Sequence, residues 1–113
     1  MMPLTRAFKE TVQARAQTDE AFRAALLSEA VEALLEGDVD TGKAVLRDYI
    51  NATIGFDELA EDVGKGPKSL MQMFSAKGNP TAANLFAIIS HLQKATGIHL
   101  SVRVAAAQHT STT

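Results

Sequence analysis

The stretch that decides the fold of this chain is residues 59–74, with the sequence LAEDVGKGPKSLMQMF. Its apolar side chains fall at the spacing of two short helices that share one core: Leu59, Val63, Leu70 and Met73. Between them, Gly64 can adopt the positive φ of a tight turn, and the small Ala60 lets the two helices approach closely. The stretch therefore predicts a helix-turn-helix unit, which we place within residues 56–92.

Helical signals flank this unit on both sides. Thr18 or Asp19 can cap a helix that runs to Gly37, because a short polar side chain accepts a hydrogen bond from a free first-turn amide. Thr81 can cap a later helix that ends at Gly97. The full pattern predicts helices over residues 5–17, 18–37, 38–55, 56–63, 67–78 and 81–97. The expected fold class is all-α, with five to six helices.

The C-terminal part departs from this helical pattern. Residues 98–104, IHLSVRV, alternate between apolar and polar side chains, which predicts one β-strand. A single strand cannot form a sheet, so the segment either pairs with another copy or a partner protein, or is a loosely packed extension. The predicted organisation is a single domain, residues 1–113, with N-terminal helices over 5–54, a helix-turn-helix core over 56–97, the strand over 98–104 and a flexible tail over 105–113.

The composition is that of a globular protein of one domain. The chain has 113 residues, of which 46% are hydrophobic and 21% charged. It has no cysteine, and no apolar run suited to a membrane span or a signal peptide, so we expect a cytoplasmic protein that does not bind membranes. The net charge of −2 argues mildly against a nucleic-acid ligand. Phosphate contact, however, needs only a local basic face.

Residues 59–74 resemble the helix-turn-helix of phage-repressor (Cro/C1, or XRE) transcriptional regulators. The run GNPT at residues 78–81, followed by LFAII at residues 85–89, resembles the antidote (HigA-like antitoxin) proteins of bacterial addiction modules. Residues 8–15, FKETVQAR, and 37–43, GDVDTGK, are similar to small transcriptional regulators of that group. The resemblance covers most of the chain and implies a repressor-like helical domain.

The resemblance also implies which side chains contact DNA. The exposed positions near the start of the recognition helix enter the major groove. There, Lys68 could bind guanine O6 or N7, Gln72 could pair with adenine, and Met71 offers an apolar contact to a thymine methyl group. The implied DNA-binding residues are Lys65, Pro67, Lys68, Ser69, Met71, Gln72 and Lys77, with Lys65 and Lys77 expected on phosphates. Two further basic side chains would extend this positive face: Lys43 and Arg47.

Partners follow from the same resemblance. It implies binding of double-stranded DNA by a homodimer, since a dimer matches two half-sites about one helical turn apart. It further implies autoregulation of an addiction-module operon and binding of a cognate toxin, such as a RelE-like ribonuclease. No cofactor is expected.

Some residues depart from the pattern of DNA-binding family members. Asp57 and Glu58 stand where family members often have a polar phosphate donor, and Gly66 replaces a serine or threonine cap. These acids favour a second hypothesis, in which the chain is a protein-interaction module that neutralises a partner toxin with little or no DNA affinity. An enzyme is not expected, because residues 64–69 lack the strand and first glycine of a phosphate-binding loop. The histidines lack the spacing of metal ligands: His91, His99 and His109.

Overall fold

The computed structural model describes residues 14–16 and 18–106 of the chain. Residues 14–16 and 18 are helical, and five bounded helices follow: α1 Glu20–Leu35, α2 Val39–Ala52, α3 Gly55–Val63, α4 Pro67–Met73 and α5 Ala82–Thr96. Because the described residues form helices and no strand, the predicted all-α class is confirmed for them. The helix predicted over residues 5–17 lies, apart from residues 14–16, outside the described residues, as does the tail beyond residue 106.

Three helices begin at side-chain caps, and the sequence predicts two of these caps, Asp19 and Thr81. Asp19, Asp38 and Thr81 each accept a side-chain hydrogen bond from the backbone amide three residues later, at 3.1, 3.2 and 3.1 Å. Each bond satisfies a first-turn amide that has no partner within its own helix. At the other end of α5, Gly97 takes a left-handed conformation with φ of 75°, which only glycine adopts without strain.

All five helices contribute to one hydrophobic core. The largest side chains that are fully removed from solvent come from α1 to α5 and from the loop after α4: Leu27, Leu46, Tyr49, Ile50, Leu59, Leu70, Phe74, Ile88 and Leu92. Burying a leucine or isoleucine side chain stabilises a fold by about 1.5–3 kcal/mol, so this set supplies the main driving force for folding. Tyr49 also satisfies its hydroxyl in the core, where its oxygen lies 2.6 Å from the Thr96 hydroxyl of α5. Burial raises the pKa of Tyr49 above its ordinary value.

Helices α1 and α2 pack closely because Gly42 has no side chain. A Cβ atom at this position would lie 2.5 Å from Leu34 Cδ2 and 3.3 Å from the Ala30 carbonyl oxygen. Gly42 therefore lets the backbone of α2 approach α1, although glycine inside a helix costs about 1 kcal/mol relative to alanine.

Residues 98–104 form no strand in the single chain, where residues 98–106 have no regular secondary structure. The physical reason is that a strand requires a neighbour for its backbone hydrogen bonds, and the described residues provide none. Ile98 is nonetheless buried in the core, and the Leu100 amide donates a 2.8 Å hydrogen bond to Gln93 Oε1. In the described part of the chain, no helix combines the length and apolar character needed to cross a membrane.

The Asp38 cap predicts a pH dependence of stability. Hydrogen bonds from the Thr41 side chain and amide lower the pKa of Asp38 below its ordinary value of 3.8. The cap should therefore stabilise the fold fully above the unfolded-state pKa, and the contribution should disappear as pH falls through the lower folded-state pKa. As the pH is lowered beyond about 4, we expect the urea midpoint of the native chain to decrease more steeply than that of Asp38→Asn. The asparagine keeps a capping oxygen but cannot titrate. A midpoint difference that stays constant from neutral pH to pH 2.5 would contradict this expectation.

Candidate nucleic-acid interface

Helices α3 and α4 are joined by a tight turn at residues 64–66. Gly64 ends α3 in the left-handed region, with φ of 71° and ψ of 32°. The amides of Gly64 and Lys65 both donate to the Ala60 carbonyl oxygen, which closes the end of α3. Gly66 then returns to extended backbone, with φ of −73° and ψ of 143°, and α4 begins at Pro67. Glycine offers no side-chain oxygen, so α4 begins without a side-chain cap.

One side of α4 is anchored in the core. Leu70 is 0% exposed, and Phe74, directly after the helix, is 1% exposed. The Phe74 ring packs against the Phe56 ring of α3, with a centroid separation of 6.1 Å and an angle of 57° between the planes. Edge-tilted aromatic pairs of this kind are favourable. These contacts hold α4 against α3 and direct its opposite side to solvent.

All seven residues predicted to bind DNA are exposed: Lys65, Pro67, Lys68, Ser69, Met71, Gln72 and Lys77. Lys65 lies in the turn before α4, Lys77 lies in the loop after it, and the other five lie on α4. Side chains three and four residues apart neighbour one another on a helix, so Lys68, Met71 and Gln72 share one side of α4. We call these three residues the outer face of α4. Met71 is 47% exposed there.

The lysines around α4 are available for a ligand. Within the described residues, Lys65, Lys68 and Lys77 form no ion pair. The sequence also contains a signal that composition alone conceals, because all thirteen acidic residues lie at or before position 62. Residues 63–113 carry five Lys or Arg and no acid, whereas residues 1–62 carry six Lys or Arg, so the two parts have net charges of +5 and −7. The net charge of −2 is therefore a poor guide to the field around α4.

Lys43 does not extend the positive face, so the prediction for this residue is wrong. The side chain is buried, with only 4% of the residue exposed. Its Nζ atom donates to the carbonyl oxygens of Ser75 at 3.0 Å and Gly78 at 2.6 Å. Carbonyl oxygens near a helix C-terminus attract a cation. Through these two bonds, Lys43 holds the loop after α4 against α2.

Arg47, the other predicted extension, is exposed and borders the outer face of α4. It lines an open cleft of about 380 Å³ together with four other residues: Asn51, Phe56, Asp57 and Met71. Asp57 places a carboxylate at the same cleft, so one wall attracts an anion and the other repels it. A phosphate that approached Met71 would meet both charges.

His91 links α5 to α3. Its Nε2 atom lies 2.9 Å from Asp62 Oδ2, and both side chains are about one-third exposed or less. The predicted position at a helix surface or interface is consistent with this contact, and the partner could not be identified from sequence. Within residues 14–16 and 18–106, no group of three or more His, Asp or Glu side chains is placed to hold a metal ion.

Comparisons with protein-family models, curated proteins and solved structures find no match for this chain.

Proposed function

We propose that this chain is a sequence-specific, double-stranded-DNA-binding transcriptional regulator of the helix-turn-helix type. The observation that carries the proposal is the outer face of α4, where Lys68, Met71 and Gln72 are exposed. Lys65 and Lys77, before and after this helix, form no ion pair within the described residues. The major groove of B-DNA admits one α-helix, and a short helix anchored by a single buried side supports that docking. Regulators of this type act as homodimers, and we propose the same for this chain.

Each side chain of the outer face has a role in this proposal. The Lys68 ammonium donates to guanine O6 or N7, and the Gln72 amide pairs with adenine. Met71 contacts a thymine methyl group, which accounts for an apolar side chain in solvent. Lys65 and Lys77, on either side of α4, neutralise phosphates and position the helix.

Alanine substitutions separate base contacts from phosphate contacts. We expect Lys68→Ala to weaken binding of the preferred duplex by about 1–3 kcal/mol, which is roughly fivefold to 150-fold, and to relax the preference at one base pair. Lys65→Ala should instead weaken all duplexes alike and reduce the salt slope by about one ion, because a phosphate contact releases a counterion regardless of sequence. Selection from random duplexes gives the preferred site, and fluorescence anisotropy across a salt series gives both quantities.

Lys94→Ala is the matched control for these variants. It also removes one exposed lysine charge, but from the last turn of α5 rather than from α4. Its affinity and base preference should match those of the native chain. If the native chain binds no duplex selectively even at low salt, or if Lys68→Ala and Lys94→Ala behave alike, sequence-specific binding through α4 is excluded.

We further propose that the regulator is the antitoxin and autorepressor of a toxin–antitoxin module. The exposed acids of α3 favour a second candidate function, in which the chain neutralises a toxin with little or no DNA affinity: Asp57, Glu58 and Glu61. A carboxylate surface repels phosphates but suits a basic partner protein. A gene for a small basic protein next to this gene would support both forms of the proposal. Binding to the DNA upstream of the two genes would separate them. The first candidate predicts that the native chain binds this DNA and that the Lys65→Ala, Lys68→Ala double variant does not, whereas the second predicts protection of cells by a native chain that does not bind it.

A further inference from the structure

Apolar side chains in the segment that follows α5 become increasingly exposed along the chain. Ile98 is 7% exposed, and Leu100 is partly buried against the core. Val102 and Val104 are 85% and 101% exposed, the two most exposed large apolar side chains of the described residues. Alternate residues of an extended strand point to one side, so these four side chains form one continuous apolar row when the segment is extended.

The backbone of this segment is anchored at one end only. Ile98 N donates to the Gln93 carbonyl oxygen at 3.1 Å, and Leu100 N donates to Gln93 Oε1 at 2.8 Å. Beyond Leu100, residues 101–106 form no hydrogen bond with any other described residue. The segment therefore starts in a fixed position and then presents free donors, free acceptors and two valines to solvent.

We propose that residues 100–104 of two copies of this chain pair as antiparallel strands about a two-fold axis at Val102. The pairing adds a two-stranded ribbon that joins the two cores and covers Val102 and Val104. A ribbon of two strands is marginal alone, but here Ile98 of each copy is already buried in its own core. This pairing rests on the proposed function only for the homodimer itself. It identifies the surface through which the two copies associate.

The charges along the segment select this register. With the axis at Val102, that residue faces its own copy, Leu100 faces Val104, and Ser101 faces Arg103, so apolar pairs fill one face. An axis at Arg103 would place two guanidinium groups directly opposite each other. An axis at Ser101 would require Ile98, which is buried in its own core, to face Val104 of the other copy. A parallel, in-register pair would place each Arg103 beside its copy. Like charges directly opposite are destabilising, so Val102 is the favoured centre.

A strand from a different protein could occupy the same edge, and that alternative predicts a monomer when the chain is alone. A second copy is favoured because the segment is complementary to itself under two-fold symmetry. An isologous interface requires this property, whereas binding of an unrelated strand does not.

Charge reversal at the axis tests the pairing. Sedimentation velocity on the full chain without DNA should show a dimer. Val102→Glu and Val102→Lys should each weaken it at least about tenfold, because each places two like charges in contact. Mixing Val102→Glu with Val102→Lys should restore a dimer, since only a mixed pair has opposite charges at the axis. Ser101→Glu is the matched control: it adds the same charge one residue away, where it faces Arg103 of the other copy, so the dimer should persist.

Every outcome bears on the pairing. Val102 is exposed, so far-ultraviolet circular dichroism should show unchanged helix content in all variants. A monomeric native chain, a dimer insensitive to Val102→Glu, or no recovery in the mixture would overturn the proposed pairing. These results do not depend on DNA: a chain that dimerises as described but binds no duplex keeps this pairing and loses the proposed function.

Discussion

Replacing Leu70 by alanine is expected to lower the free energy of unfolding by about 3 kcal/mol, since leucine-to-alanine changes in cores cost about 2–5 kcal/mol. Leu70 is 0% exposed and is the buried residue of the short helix α4. The substitution removes its side-chain contacts with the core and leaves a cavity that a helix tied to tight turns at both ends can close only in part. Because domains are stable by only about 5–15 kcal/mol, this loss is a large share of the total.

Urea unfolding followed by circular dichroism measures the effect, and thermal midpoints should fall by about 4 °C for each kcal/mol. Met71→Ala is the matched stability control, because it lies one residue further along α4 but is 47% exposed. A substitution on the surface changes stability by only about 0.5 kcal/mol. Equal losses for Leu70→Ala and Met71→Ala would show that α4 does not pack against the core as described.

The helix boundaries could be predicted because local chemistry determines them. Asp19, Asp38 and Thr81 each bond an amide only three residues away, so the signal is complete within a few residues. Gly64 and Gly97 likewise end their helices in a conformation that a side chain would strain. No knowledge of distant residues is needed for such signals, and the starts of α1 and α5 and the ends of α3 and α5 lie where the sequence predicts them.

The end of α4 was harder to predict. The sequence predicts that the helix continues to about residue 78, but it ends at Met73. Beyond it the chain closes two turns with three-residue spacing, from Ser75 N to the Gln72 carbonyl and from Gly78 N to the Ser75 carbonyl. A Cβ atom at Gly78 would lie 2.5 Å from the Met73 carbonyl oxygen, so the loop folds against the helix end at a distance that only glycine permits. The presence of a glycine at this position in the sequence does not reveal so close a backbone contact.

Of the candidate interface, the exposed residues were predicted and the supporting contacts were not. All seven candidates are exposed, as a solvated helix face requires. The bonds of Lys43 span 32 and 35 positions, and that between His91 and Asp62 spans 29, so they depend on packing of the whole domain. One signal for Lys43 was present: it lies three residues before Leu46 and seven before Ile50, on the buried side of α2. The position of a basic residue within an apolar stripe indicates its burial, whereas its charge alone suggests a place on the surface.

Replacing Lys43 by methionine is therefore expected to destabilise the fold by about 1.5–3 kcal/mol, the typical range for a hydrogen bond to a charged donor. Methionine fills similar space, but it leaves the carbonyl oxygens of Ser75 and Gly78 without the donor that now lies 3.0 and 2.6 Å away. Lys43→Ala should cost more, because it also opens a cavity beside the loop. The Asp40 carboxylate adds little, since it lies 3.9 Å from Nζ and its side chain is 93% exposed.

The loss should be concentrated in the loop after α4, which distinguishes anchoring by Lys43 from a general weakening of the core. Hydrogen exchange measured by NMR should show that Lys43→Met accelerates exchange at the Ser75 and Gly78 amides, whose bonds close the two turns of this loop. The acceleration at the amide of Leu85 in α5 should be smaller. Lys94→Met is the control, because it replaces an exposed lysine with the same side chain and should change stability by no more than about 0.5 kcal/mol. Uniform acceleration across the domain, or equal effects of Lys43→Met and Lys94→Met, would contradict the anchoring role. By holding this loop, Lys43 also positions Lys77, which lies within it. A buried lysine that does not itself contact DNA would then help to position a side chain that we propose binds a phosphate.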